Sequence, residues 1–177
     1  MSTKTKSKRN HKNFNQIKTD PIYIRSKFKL EILSKSVEFE FIYPSDLHWS
    51  CIKCGSCCRN PKDRERRILL LPSDISRLKT GGYDPSDHIV QVTGSEPFTA
   101  EMKKIEGSCI LLSEAGCKGY ESRSLLCRMY PFWVEKQGDL FIIRYDDACP
   151  GFIKGKKIPE EYFQEFLKTA IIQRGSI

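Results

Sequence analysis

Cys51-Ile52-Lys53-Cys54-Gly55-Ser56-Cys57-Cys58 gathers four of the chain's eight cysteines into eight positions. Thiolate sulfur is the soft donor that suits zinc and iron–sulfur centres. Two thiols separated by two residues can converge on one ion when a tight turn aims both the same way, and Gly55 makes such a turn inexpensive. In extended backbone adjacent side chains point to opposite sides, so Cys57 and Cys58 are expected to face two different sites. The other thiols lie far downstream, at Cys109, Cys117, Cys127 and Cys149. Closing that span costs entropy that grows slowly with length, whereas a zinc-finger type of thiolate site returns about 10–16 kcal/mol of apparent binding energy. One grouping places Cys51, Cys54, Cys57 and Cys149 in one site and Cys58, Cys109, Cys117 and Cys127 in another.

An even number of cysteines in a short secreted chain would suggest disulfides. Here the first twenty or so residues are polar and basic, unlike a secretory leader. No stretch approaches the roughly 18 apolar residues of a membrane helix, and 177 residues can bury a core without staples. A cytoplasmic protein is expected, with thiols kept reduced and free to bind metal. Fourfold thiolate sites suit zinc and iron–sulfur clusters alike. Cys51-x-x-Cys54-x-x-Cys57 copies the first three ligands of a bacterial ferredoxin run, and Cys149-Pro150 could supply the fourth from a distance, which tips the balance toward an iron–sulfur cluster over zinc.

Positive charge lowers the cost of forming a thiolate. Arg128 follows Cys127 directly, and Arg123 precedes it by four positions and would share its helical face, so both are candidate donors around the sulfur. Tyr120, Tyr130, Phe132 and Trp133 are expected to pack about the site and shield it from water. His48, three residues before Cys51, is set aside because eight thiols already fill two four-ligand sites. Asp146 and Asp147 are expected to cap the turn before Cys149.

Those thiols must be positioned by the elements around them. From Ile22 to Tyr43 apolar residues alternate, first Phe28, Leu30 and Ile32, then Val37, Phe39 and Phe41, and the polar Ser34-Lys35-Ser36 between them predicts a hairpin. Arg59 to Arg67 reads as a charged surface loop and Ile68 to Leu71 as a short strand. Pro72-Ser73-Asp74 predicts a helix start capped by Ser73, with Ile75 and Leu78 facing inward and Gly81-Gly82 as its end. A second short helix is expected near Asp84-Pro85-Ser86. Strands follow at Phe98–Glu106 and Ile110–Leu112, then a hairpin of Val134–Gln137 and Leu140–Tyr145 about Gly138-Asp139. An amphipathic helix from Pro159 to about Gln173 presents Phe163, Phe166, Leu167 and Ala170 on one face. The class is α+β: a small single domain of short strands, hairpins and irregular loops organised around a cysteine metal centre, closed by a C-terminal helix.

The upstream cluster together with Gly107 to Trp133, GSCILLSEAGCKGYESRSLLCRMYPFW, resembles the CxxCxxCC family, a zinc- or iron-chelating domain also called the YkgJ-type cysteine cluster family. The match runs through Cys51, Cys54, Cys57 and Cys58, then Cys109, Cys117, Tyr120, Arg123, Cys127, Arg128, Tyr130 and Pro131. Ser124 stands where the family usually places proline, which removes a fixed φ but no ligand. The resemblance covers residues 48–152 and implies a bound zinc or iron, leaving the biological role open.

The net charge is +8, and much of it lies in residues 1–20, where Lys4, Lys6, Lys8, Arg9, Lys12 and Lys18 oppose Asp20 alone. That segment is expected to be a disordered basic tail ahead of a cysteine-cluster domain over 21–177. Eight ionised thiols on two dipositive centres would bring the charge to about +4. Three functions follow. The favoured one is a metal-binding module whose centre is structural, carried or used for electron transfer, with a partner protein possible and no membrane. The second is an accessory or catalytic component of a methyltransferase-like, protein-modifying enzyme, because related cysteine clusters resemble part of flagellin lysine methylases. It is disfavoured because no glycine-rich cofactor fingerprint and no nucleophile–base pair is visible. The third is a zinc-stabilised nucleic-acid adaptor, limited to weak, salt-sensitive tail contact.

Overall fold

The computed structural model describes residues 22–153 and 155–174, so the basic tail lies outside the described residues. Alternating apolar side chains build the first hairpin, β1 (Tyr23–Ile32) and β2 (Lys35–Pro44), with Ile32 opposite Lys35. Leu33 and Ser34 alone make the turn, at φ 47° and 64°. Two consecutive left-handed residues match the twist of the flanking strands, so the turn is Leu33-Ser34 and not Ser34-Lys35-Ser36, and Lys35 and Ser36 join β2.

The chain then passes through β3 (His48–Trp49), a 3-10 turn at Ser56–Cys58, β4 (Leu69–Leu70), α1 (Pro72–Thr80), α2 (Pro85–His88), β5 (Ile89–Gln91) and β6 (Ala100–Met102). Four two-residue strands follow: β7 (Lys104–Ile105), β8 (Ser108–Cys109), β9 (Leu112–Ser113) and β10 (Gly116–Cys117). After α3 (Leu125–Met129) come β11 (Phe132–Gln137), β12 (Leu140–Tyr145), β13 (Lys156–Lys157) and α4 (Glu160–Arg174). The strand expected over Phe98–Glu106 is broken into β6 and β7, and Ile110 is in no strand, because the chain reverses through Glu106 and Gly107 at φ 49° and 73° to bring β8 back along β7.

Two cores result, making the domain α+β. In the larger, β1, β2, β12 and β11 form one sheet in that order, with β2 and β12 parallel. Helix α4 lays Phe163, Phe166, Leu167, Ala170 and Ile171 against Phe28, Phe41, Tyr43, Phe132 and Ile143 of that sheet. Each fully buried side chain of this kind contributes about 1.5–3 kcal/mol. Polar contacts fix the docking: the Glu160 carboxylate accepts from the Ser26 hydroxyl and from Tyr43 Oη, the latter at 3.0 Å.

The smaller core joins Ile68, Leu70, Leu78, Ile89, Ala100, Met102 and Leu111, under a three-stranded sheet ordered β4, β6, β5. Cys58 and Cys109 are buried in it, and Cys57, Cys117 and Cys127 pack on its edge. Helix α1 is capped at Leu71, whose N–H donates to the Asp74 carboxylate at 3.1 Å. The carboxylate, three positions into the helix, takes the role expected of Ser73.

Candidate metal centre

The octapeptide folds into a short turn instead of a strand. Gly55 sits at φ 72°, and Cys58 N–H returns to Gly55 O at 2.9 Å. A Cβ at Gly55 would meet Leu112 Cδ1 at 2.7 Å, so backbone angle and space both require glycine. Within that 3-10 turn Cys57 Sγ and Cys58 Sγ stand 3.9 Å apart. The expected divergence of these neighbours therefore fails, since opposite facing is a property of extended backbone only. Cys57 and Cys58 look into the same space.

Each downstream thiol is delivered by its own element. Cys109 ends β8 and Cys117 ends β10, while Cys127 lies in α3. Two contacts hold α3: Leu125 N–H donates to Asp74 Oδ1 at 2.8 Å, and Cys127 N–H donates to Ser124 Oγ at 3.4 Å. Ser124, in the usual proline position, is thus the helix cap. Cys149 closes a turn in which its N–H donates to Asp146 O at 3.0 Å. The Asp146 carboxylate caps that turn through Ala148 N–H at 3.2 Å, and also accepts from Tyr130 Oη at 3.1 Å and Arg66 Nη2 at 3.3 Å.

All eight cysteines line one narrow cavity of about 70 Å³. Trp49, Leu78, Met102, Leu111 and Tyr120 complete much of its wall, and neither a carboxylate nor an imidazole lines it. His48 is exposed outside it, and His88 Nδ1 pairs with Asp84 O at 2.7 Å. Among the described residues, no three His, Cys, Asp or Glu side chains stand in position to hold one ion together, so the thiols surround a shared space. The donor set fits a sulfur-loving metal, because the cavity offers thiols in place of carboxylates and imidazoles, with Arg123 and Lys53 beside them.

The two arginines separate. Arg123 lines the cavity, its Nε donating to Tyr120 O at 2.7 Å and its guanidinium 3.6 Å from the centre of the Tyr120 ring. It precedes α3, so it does not share a helical face with Cys127. Arg128 does not line the cavity; one residue on from Cys127 around the helix, it donates from Nη2 to Gln173 in α4 at 2.9 Å. Tyr120 and Tyr130 are in the wall as expected. Phe132 instead belongs to the larger core, and Trp133 is exposed, because alternation along β11 sends them to opposite faces.

Sequence reasoning missed Arg66 and Asp74. Arg66 stacks 4.7 Å above the Tyr130 ring and pairs with Asp146, yet nothing marks it among Arg59, Arg64 and Arg67 in a charged loop. Asp74 was legible as a helix-start residue, but not as the tie to α3.

Mutual contact splits the thiols electrically. Contact with Cys58 draws Cys57 down to about 7, aided by Arg66, and draws Cys117 down to about 6, aided by a backbone hydrogen bond at Gly119 and by Arg123. The shared proton stays on Cys58, whose thiol is pushed up by Cys117 and Cys57. Burial raises Cys109 and pushes Cys127 up to about 12. Cys58 has one S–H to donate, so one thiolate, at Cys57 or Cys117, forms readily before any metal arrives.

Two proteins of Methanocaldococcus jannaschii are similar to this chain. The uncharacterized protein MJ0661 is 29% identical over 140 residues, covering 74% of this chain and 72% of its own length. The uncharacterized protein MJ0939 is 31% identical over 146 residues, covering 72% of this chain but only 48% of its own length. No solved structure gives a significant match. Residues 50–150, which hold all eight cysteines of the cavity wall, match the model of CxxCxxCC, described as a putative zinc- or iron-chelating domain, and the chain belongs to that family.

Proposed function

We propose that this protein holds iron as an iron–sulfur cluster through Cys51, Cys54, Cys57, Cys58, Cys109, Cys117, Cys127 and Cys149, in a reducing, cytoplasmic setting. The observation that carries this reading is the meeting of all eight thiols, and of no oxygen or nitrogen ligand from a carboxylate or imidazole, around one cavity. Eight thiols around one space are twice the four sulfurs, at about 2.3 Å, that a tetrahedral zinc takes. An iron–sulfur centre there supplies one-electron redox chemistry, and the role is structural, carrier or electron transfer.

The chain's own residues prepare the site. Cys57 or Cys117 ionises first and attracts the cation, Arg123 and Lys53 flank the thiols, and Leu78, Met102 and Leu111 exclude water from the inner wall. Anaerobic purification, followed by iron, sulfide and zinc analysis and a visible spectrum, tests the reading. Iron and sulfide with broad visible absorption are expected. A colourless protein with stoichiometric zinc and no iron would overturn the iron assignment and leave zinc.

A further inference from the structure

A second space adjoins the thiol cavity and shares Trp49, Cys51, Tyr120 and Arg123 with it. This open cleft, of about 450 Å³, lies between the β3–β13 pair, the first turn of α4 and the segment carrying Tyr120 and Arg123. It is built closely: a Cβ at Gly155 would fall 2.1 Å from the Trp49 backbone. Its size is that of a small-molecule site.

The wall has one sign of charge. Arg123, Arg128, Lys156 and Lys157 line it, and among the described residues no carboxylate does. Lys157 is paired with Asp46, but among the described residues Arg123, Arg128 and Lys156 form no ion pair. One buried donor that finds no acceptor, Arg128 Nε, also belongs to a residue of this wall. Trp49, Tyr120, Tyr162 and Ile158 add apolar surface beside the cations. Arginine forks and lysine charges facing an apolar shelf are the chemistry that recognises a phosphate attached to an organic body.

We propose that this cleft binds a small organic phosphate of mononucleotide size, seated against Cys51. The phosphate takes Lys156, Arg128 and Arg123, and the organic body lies along Trp49 and Tyr162. The inference goes beyond metal binding and rests on it only for the role of Cys51, the thiol common to both spaces.

Calorimetric titration of the purified, metal-containing protein with adenosine monophosphate, adenosine and inorganic phosphate tests it. Adenosine monophosphate is expected to bind at least tenfold more tightly than either fragment. Lys156→Glu should weaken that binding at least tenfold, and Lys79→Glu, at an exposed residue that does not line the cleft, should leave it unchanged, with metal content the same in both. No binding of adenosine monophosphate, binding no tighter than adenosine, or binding indifferent to Lys156→Glu, as tail contact would be, would overturn the proposal. Metal analysis of the same samples reports separately on the iron–sulfur reading, so the two can fail independently.

Discussion

The thiols differ in readiness because each has its own neighbours. Cys57 and Cys117 are acidified by contact with Cys58, while Cys109 and Cys127 are kept protonated by burial. In metal-free, reduced protein near neutral pH, iodoacetamide should therefore label Cys57 and Cys117 well before Cys109 and Cys127, with peptide mass spectrometry reading the order. Equal rates would show that the Cys57–Cys58–Cys117 contact does not persist in solution. Replacing Cys58 or Cys127 with serine should lower bound metal at least by half, as measured by elemental analysis. Retention of full metal content by both variants would remove these thiols from the ligand set.

Elements matter here mainly as carriers of sulfur. Asp74 joins the start of α1 to the start of α3 by accepting from Leu71 and Leu125 N–H groups, and so sets where Cys127 stands. Asparagine offers one oxygen in place of two, leaving a buried N–H unmatched. Asp74→Asn should cost about 1–3 kcal/mol in denaturant unfolding. Helix α4 is fixed differently. Hydrogen bonds from Ser26, and then Tyr43 and Gln164, hold the Glu160 carboxyl below its ordinary 4.5. A depressed folded value means that its contribution is present above 4.5 and is lost as pH falls through the lower folded value. The stability gap between the native protein and Glu160→Gln should accordingly be widest near about pH 7 and close at about pH 3, by urea unfolding at each. A gap that stays constant would exclude the ionised carboxylate as its source.

At the scale of the whole molecule the two cores are stabilised by different means. The sheet of β1, β2, β12 and β11 under α4 is held by aromatic packing, with Phe132 edge-on to Phe163 at 5.5 Å. The smaller core has thiols in its own wall and very short strands, so a bound metal would act as its missing cross-link. Removing metal with a chelator under reducing conditions should strip hydrogen-exchange protection from residues 50–130 while β1, β2 and α4 stay protected. Uniform loss across both cores would mean that they unfold as one unit. Among the described residues, no helix is long and apolar enough to cross a membrane.

Local pattern was enough to read the two hairpins, the start of α1 and the buried face of α4, because period and turn chemistry are properties of neighbouring residues. It was enough, too, for the eight thiols and the class of metal they suit, since donor softness is fixed by residue type. Tertiary structure decided which way those donors face. Cys57 and Cys58 share one space because the backbone there turns instead of extending, and Arg128 leaves the site because its place around α3 points it at Gln173. Arg66, Asp74 and the basic cleft beside Cys51 come from segments distant in sequence, brought together only when the two cores pack, which no local periodicity encodes.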